Sequence, residues 1–454
     1  MTKLKRLKII LLLSVGIFFL GSTNLSQAIS REGKIHKNIS IMSIDISGLT
    51  KNEAKIKVEE TINQYNEINL IFEDKAYKLN KKDLGIVYNI DEAIEKAYNI
   101  GRDKDIISNI KTKINLDLGQ NKIISLKCSY NEKNLDKYIN FLNENINIQP
   151  ISATIKLENN KFNYTKETYG IKIDVDKLKK AIILDINKVF SNDEKIPTMN
   201  IRPDFIYDEL SKIDTVLGTY ETNFNPKLEN RVNNIDVAAR ATNNVIVKPY
   251  EEFSFNHYVN DASIQSQFKS APVIINGKLE QGLGGGICQV SSTMYNAALY
   301  AGLEITKVRN HSIPSAYVSK GRDATVATGN LDFRFKNKYN TPILVTHKMY
   351  NNKIVTTIYG NKEDKKEIEV RTEIIKSLPN KVKIETSEKI FEGEKTISQN
   401  GRVGYKINTF RIYKGDKGKT KEFISESYYP PMDKVVVYGT KKKVIDNIGK
   451  EIIW

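Results

Sequence analysis

Between Gln281 and Met294 the chain reads Gln-Gly-Leu-Gly-Gly-Gly-Ile-Cys-Gln-Val-Ser-Ser-Thr-Met. Three consecutive glycines are costly inside a helix or strand, so Gly284, Gly285 and Gly286 impose a tight turn. The residues after it fall at helical spacing, with Val290, Met294, Ala297 and Ala301 on one face and Gly302 placed as the stop. Cys288 is therefore expected at a helix N-terminus. There the unpaired N–H groups of the first turn, Gln289 to Ser291, carry partial positive charge and favour the thiolate. Glycines without side chains would also let a substrate carbonyl approach the backbone and meet donors for a developing oxyanion. These are the parts of an acyl-transfer nucleophile; the alternative is a small buried cysteine beside a turn.

A partner base decides between the two. Of the four histidines, His311, in Arg309-Asn-His-Ser-Ile-Pro314, follows the cysteine helix closely enough to fold back onto it, and His257, in Phe253-Ser-Phe-Asn-His257, is the second candidate. His347 lies in a strand-like run and His36 near the N-terminal apolar segment, both positions that suit structural roles. The other cysteine, Cys128, stands in the apparent strand Ile124-Ser-Leu-Lys-Cys-Ser-Tyr130, so a Cys128–Cys288 disulfide is disfavoured.

The chain begins with Lys3, Lys5, Arg6 and Lys8 and then an apolar run from Ile9 to Leu20, shorter than the roughly 20 residues of a membrane-spanning helix. Ser26-Gln-Ala28 offers a small-residue cleavage site, so residues 1–28 read as a signal peptide or an N-terminal membrane anchor. No cysteine follows the run to take a lipid. Export sets the meaning of the net charge of +16: anionic wall polymers and peptidoglycan carboxylates are the expected partners, and nucleic acid is not. No obligate protein partner is evident.

With 454 residues the chain can hold several domains, and its pattern is α+β. Ser47-Gly-Leu-Thr-Lys-Asn-Glu-Ala54 caps a helix through about Asn63; strands follow, then Leu84-Gly-Ile-Val-Tyr-Asn-Ile-Asp-Glu-Ala-Ile94 and a second helix. Tyr169-Gly-Ile-Lys-Ile-Asp-Val-Asp-Lys-Leu178 repeats that phrase after another helix and two strands, so residues 29–205 are expected to be a duplicated α/β module. The module resembles the peptidoglycan-binding domain of the YoaR-like type, most clearly in Leu84-Gly85-Ile86 and in Ala97-Tyr98-Asn99-Ile100-Gly101-Arg102; the second copy lacks the closing Gly-Arg.

From about Leu217 to residue 350 the chain resembles a VanW domain, expected to be α+β. Its marks are Asn230-Arg231, Asn234-Ile235, Phe253-Ser-Phe-Asn256, Gly284-Gly-Gly-Ile-Cys-Gln-Val-Ser-Ser292, His311-Ser312, Gly321-Arg-Asp-Ala-Thr325, Asp332 and Asn337. Lys248-Pro-Tyr-Glu251 departs from the family, which usually carries glycine after the proline. Residues 367–443, rich in strands and turns, resemble the G-five module, an all-β extended sheet thought to bind glycans. Holding neither histidine nor cysteine, that module is expected to be separable from catalysis.

The VanW resemblance implies a link to glycopeptide resistance and, for cysteine-bearing members, an L,D-transpeptidase unrelated in fold to the YkuD type. Such an enzyme takes peptidoglycan stem tetrapeptides on glycan strands, holds a thioester and makes three-to-three cross-links. On this reading Cys288 is the nucleophile, His311 the base and Asp323 the acid that orients it. Arg322 grips a substrate carboxylate, while Gly284, Gly285, Gly286, Gln289 and Ser291 bind substrate through the turn. Arg322 and Asp323 could instead pair with each other at the surface. A cysteine wall hydrolase and a nonenzymatic wall-binding protein are the rival functions. No cofactor is implied and no metal-ligand spacing is present.

Overall fold

The computed structural model describes residues 33–158, 161–188, 190, 193–275, 278–327, 329, 331–415 and 418–442, so the expected export segment lies outside the described residues. The architecture is mixed α/β with a strand-rich last part, and it divides into two compact units.

The first unit comprises the described residues up to Ile151 together with Thr168–Pro203. Helix Lys51–Gln64 starts with a capping box, Thr50 and Glu53 each bonding the other's backbone N–H. It packs with helix Ile90–Asn99 and a small sheet of Ile39–Ile41, Ile44–Asp45 and Lys122–Ile124 around Ile39, Ile41, Val58 and Ala97. A second core gathers Leu70, Leu135, Ile139, Leu142 and Ile182 between helices Glu132–Ile146 and Val175–Ile186 and the hairpin Glu67–Phe72/Lys75–Asn80.

Helix, hairpin, strand and helix do follow one another twice, but the packing does not repeat. The second hairpin, Thr154–Glu158 with Lys161–Thr165, leaves for the second unit. The reason lies in its apolar face. Phe162 and Tyr164 set their rings edge-on against Tyr359 and Tyr207, above Leu210, Ile213 and Leu344. Cys128 pairs in a two-stranded ladder with Val87–Tyr88 and is a free thiol in the unit that does not contain Cys288.

The second unit, residues 152–167 and 204–454, contains everything from the start of the VanW-like region to the C-terminal sheets. Its frame is a four-stranded antiparallel sheet in the order Thr215–Asn223, Lys353–Gly360, Ile343–Met349, Val245–Val247. Helix Ile287–Tyr300 lies on the first two strands, so close that a side chain at Gly218 would meet Ala297 O at 2.3 Å. One apolar face is what the spacing predicts, yet this helix is buried on every side from Gln289 to Leu299. Its polar residues are accordingly satisfied inside: Thr293 donates to Gln289 O, and Asn296 donates to Ser292 O and Arg322 O.

Strands Glu367–Leu378, Gly404–Gly415 and Gly418–Tyr429 form one C-terminal sheet, and Val382–Phe391, Lys434–Lys441 and Lys395–Gln399 the other. The first sheet is seated on the cysteine helix. Arg411, fully buried, donates from Nη1 to Leu303 O at 2.7 Å and Leu299 O at 3.4 Å, placing a cation on the helix C-terminus.

Candidate active site

The hairpin Ser270–Ile275/Lys278–Leu283 delivers the chain to the glycine turn. Gly286, the residue that caps the cysteine helix, has φ +121°, a conformation side chains rarely tolerate. At Gly285 space is the constraint, because a Cβ would lie 2.6 Å from Pro272 O and 2.8 Å from Ala271 O. Buried Asn234 ties the turn down by donating to Gly285 O at 3.0 Å and Lys269 O at 2.8 Å. The Ile287 amide donates to Gly284 O and the Gln289 amide to Gly286 O. Among the described residues no backbone acceptor takes the Cys288 amide, which is left beside its own sulfur at the positive end of the helix.

His311 and Asp323 complete the array. His311 Nδ1 is 2.7 Å from Asp323 Oδ2, the same oxygen accepts the His311 backbone N–H at 2.7 Å, and the residues are 8% and 2% exposed. Burial opposes charge on His311, but its hydrogen bonds with Asp323 and Cys288 outweigh it and raise the imidazole to about 10. Burial likewise opposes a Cys288 thiolate, and the His311 bond, helped by Val326 and the charge of Arg231, still brings the thiol below its ordinary value. The Val326 amide reaches Sγ at 3.5 Å, and a protonated thiol could donate to Val326 O at 3.4 Å. Thiolate with imidazolium is the state these contacts favour.

The sulfur opens onto a cavity of about 800 Å³. Its walls are mainly apolar, with Val259, Phe268, Pro272, Leu283, Ile313 and Val326, and they include Tyr317 and Arg231. Burial drives the Tyr317 phenol upward, reinforced by the neighbouring Cys288 charge, so it stays a neutral hydroxyl.

Gly284, Gly285, Gly286 and Gln289 line this cavity, but two of the expected substrate contacts are internal ties. Gln289, 1% exposed, accepts from Arg231 Nη2 and donates to Thr222 Oγ1 and Asn223 O. Ser291, fully buried, donates to Cys288 O and Ala324 O. Arg322 is not brought to the cavity. It stacks over Tyr220 and Tyr300 at 4.9 and 5.2 Å and donates to Asn296 Oδ1 at 2.6 Å, and it does not pair with Asp323. A guanidinium flanked by two phenol rings gains more there than a surface pair offers. His257 lines another cavity, with Asp332 and Arg334, and His347 is buried between Thr242 and Thr356.

The segment Gly321–Val326 thus carries a different tie at almost each position. Arg322 leads to the helix, Asp323 to His311, Ala324 to Ser291 and Ser292, and Val326 to Cys288. Gly321 faces the C-terminal sheet: its N–H donates to Tyr429 Oη at 2.8 Å and its carbonyl accepts from Thr409 Oγ1 at 2.7 Å. Tyr429 in turn donates to Asp323 Oδ1. Tyr317 and Tyr429 were not legible as site residues, since tyrosines in loops and strands are common and neither stands in a patterned motif.

Residues 230–359 match the family described as VanW like protein, residues 77–193 the one described as "Putative peptidoglycan binding domain", and residues 366–441 the G5 domain. The uncharacterized protein YoaR of Bacillus subtilis is 45% identical over 37% of this chain and 55% of its own length. The vancomycin B-type resistance protein VanW of Enterococcus faecalis is 29% identical over 34% of this chain and 58% of its own. The chain therefore spans little more than half the length of these curated relatives. Among solved structures, the G5 domain of an IgA1 protease matches at 30% identity over 17% of this chain and 95% of that domain, with a TM-score of 0.14. The chain combines VanW-like, peptidoglycan-binding-like and G5 regions and is related to YoaR and VanW.

Proposed function

We propose that the chain is an extracytoplasmic L,D-transpeptidase that makes three-to-three peptidoglycan cross-links through a Cys288 thioester. The observation that carries this reading is the buried Asp323–His311 pair, whose His311 lines the same cavity as Cys288 at a helix N-terminus, with His311 and Cys288 close enough to raise the imidazole and lower the thiol. The peptidoglycan-binding-like and G5 regions support wall polymers as the surroundings of the substrate.

In the first half-reaction the Cys288 thiolate attacks the carbonyl of the third residue of a donor stem. The oxyanion lies within reach of the Cys288 amide. As the bond to the fourth residue breaks, His311 gives its proton to the departing D-Ala nitrogen, and a thioester remains. In the second, the side-chain amine of a neighbouring stem attacks the thioester and yields a proton to His311, and the sulfur leaves as thiolate. Asp323 holds the imidazole for both transfers. The apolar walls favour transfer over hydrolysis by limiting water around the thioester. Arg231, the guanidinium in the lining, is the candidate for a donor carboxylate in place of Arg322.

The test is incubation of the purified protein with disaccharide tetrapeptides and mass spectrometry of the products. Dimers short of one D-Ala establish transfer. Tripeptides without dimers make the protein a hydrolase, and unchanged tetrapeptides leave a wall-binding protein.

A further inference from the structure

We infer that Tyr429, at the end of the G5 strand Gly418–Tyr429, is a positioning residue of the Cys288 site, holding Asp323 so that Asp323 can hold His311. The inference rests on the reading of Cys288 as a nucleophile. It removes the boundary between a catalytic region and a separable binding module.

Asp323 is buried, and its two oxygens divide their partners. Oδ2 takes both His311 donors, while Oδ1 takes the Tyr429 hydroxyl. Tyr429 is itself fully buried and oriented from the other side, because its oxygen accepts the Gly321 N–H. A phenol that accepts there has its proton left for Asp323. Burial, with the nearby carboxylate, drives its pKa far upward, so it stays a donor throughout the working range. The strand grips the histidine side as well: Asn310, next to His311, donates to Tyr428 O at 2.8 Å and accepts the Tyr428 amide at 3.3 Å. At Gly321 a Cβ would meet Thr409 Oγ1 at 2.9 Å and Ile407 Cγ2 at 3.0 Å, so glycine is what lets the sheet come this near.

Without the hydroxyl, Oδ1 would be a buried charged oxygen with no donor. Rotation of the carboxylate toward another donor relieves that, and it withdraws negative charge from His311 Nδ1. The imidazolium weakens and the Cys288 thiol regains a higher pKa.

The experiment is iodoacetamide labelling of Cys288 across pH in the full chain, followed by mass spectrometry of the Cys288 peptide. Tyr429→Phe is compared with wild type and with Thr409→Val, which loosens the same seam without touching Asp323. Expected is a labelling inflection for Tyr429→Phe about one pH unit above wild type, hence about tenfold slower labelling on the acid side, with Thr409→Val like wild type. An inflection that stays, falls, or moves equally in Thr409→Val overturns the inference. A wild-type inflection at an ordinary thiol value overturns the nucleophile reading and this inference with it, an outcome visible before any variant is made. Should Tyr429→Phe not fold, Tyr429→3-fluorotyrosine keeps the ring and alters only the acidity of the hydroxyl: a moved inflection supports positioning, and an unmoved one overturns it.

Discussion

Cys288 gives up its proton below the ordinary thiol range and His311 keeps its own up to about 10, so the reactive ion pair exists between those two values. Turnover plotted against pH should be a bell. The acid limb is Cys288 losing its proton, and the alkaline limb, near 10, is His311 losing the one it must give to the leaving nitrogen. A profile with no alkaline fall below about 11 would exclude His311 as the acid. Cys288→Ala should abolish transfer without unfolding, since alanine is small and suits a helix. His311→Ala should lose about 10²-fold or more in kcat, and His257→Ala nothing, because His257 faces a different cavity. Arg322→Lys should lower stability by about 1 kcal/mol and spare KM, because it loses the stacking on Tyr220 and Tyr300, whereas Arg231→Lys should raise KM. Cys288, His311 and Asp323 could be picked out in the sequence because a thiol, an imidazole and a carboxylate each bring rare chemistry, and glycines announce the turn between them. Arg322 misled for a physical reason: although it stands beside Asp323 in sequence, its guanidinium is taken up by Tyr220, Tyr300 and Asn296 instead of by the cavity.

At the scale of elements, the glycine turn, the helix start and its stop at Gly302 follow from local rules, and Gly302 takes φ +73° as a helix terminator does. The burial of that helix on all sides was not legible, because its cover comes from residues 322–326 and from strands more than a hundred residues away. Lys248-Pro-Tyr-Glu251 shows the converse: Tyr250 has φ +62°, the left-handed conformation that glycine would occupy without strain. Gly285→Ala should cost more than about 2 kcal/mol and slow Cys288 labelling, because the atoms in its way are backbone and cannot step aside. A second consequence concerns strand Ile343–Met349 and helix Glu229–Ala241. Thr242 caps that helix and donates to Ala238 O, so it accepts from His347 Nε2–H, while Thr356 donates to Nδ1. Burial holds His347 neutral down to about 3. The unfolded chain protonates this histidine near 6.5 and the folded one does not, so folding free energy is full above 6.5 and drains as pH falls toward 3. The loss amounts to roughly 4 kcal/mol by the acid end. Denaturant unfolding at stepped pH checks this: His347→Gln should be less stable at pH 7 and flatter below it.

For the whole molecule, three family matches sit in two compact units, because the G5 sheet shares a buried seam with the VanW-like region. Strand content and turns in the last part were readable from residue pattern, but the seam was not. It is made by Arg411 and Tyr429, residue types that on a solvated sheet would be unremarkable surface groups, and by a glycine whose use appears only with Thr409 against it. Calorimetry should therefore resolve two transitions rather than three. Arg411→Met removes a buried cation and leaves Leu303 O and Leu299 O without their donor, at a cost of about 2–4 kcal/mol. If the seam is cooperative, that change lowers the transition that carries Cys288 protection from labelling, as one unit, and leaves the peptidoglycan-binding-like unit melting where it did. If the sheet instead melts alone and early, with Cys288 labelling and turnover intact, the G5 region is an appendage and the two-unit description fails. Deleting residues 366–454 extends the same logic. It strips the cover from the helix and the donor from Asp323 together, so turnover of soluble muropeptides should be lost along with wall retention, not retained without it.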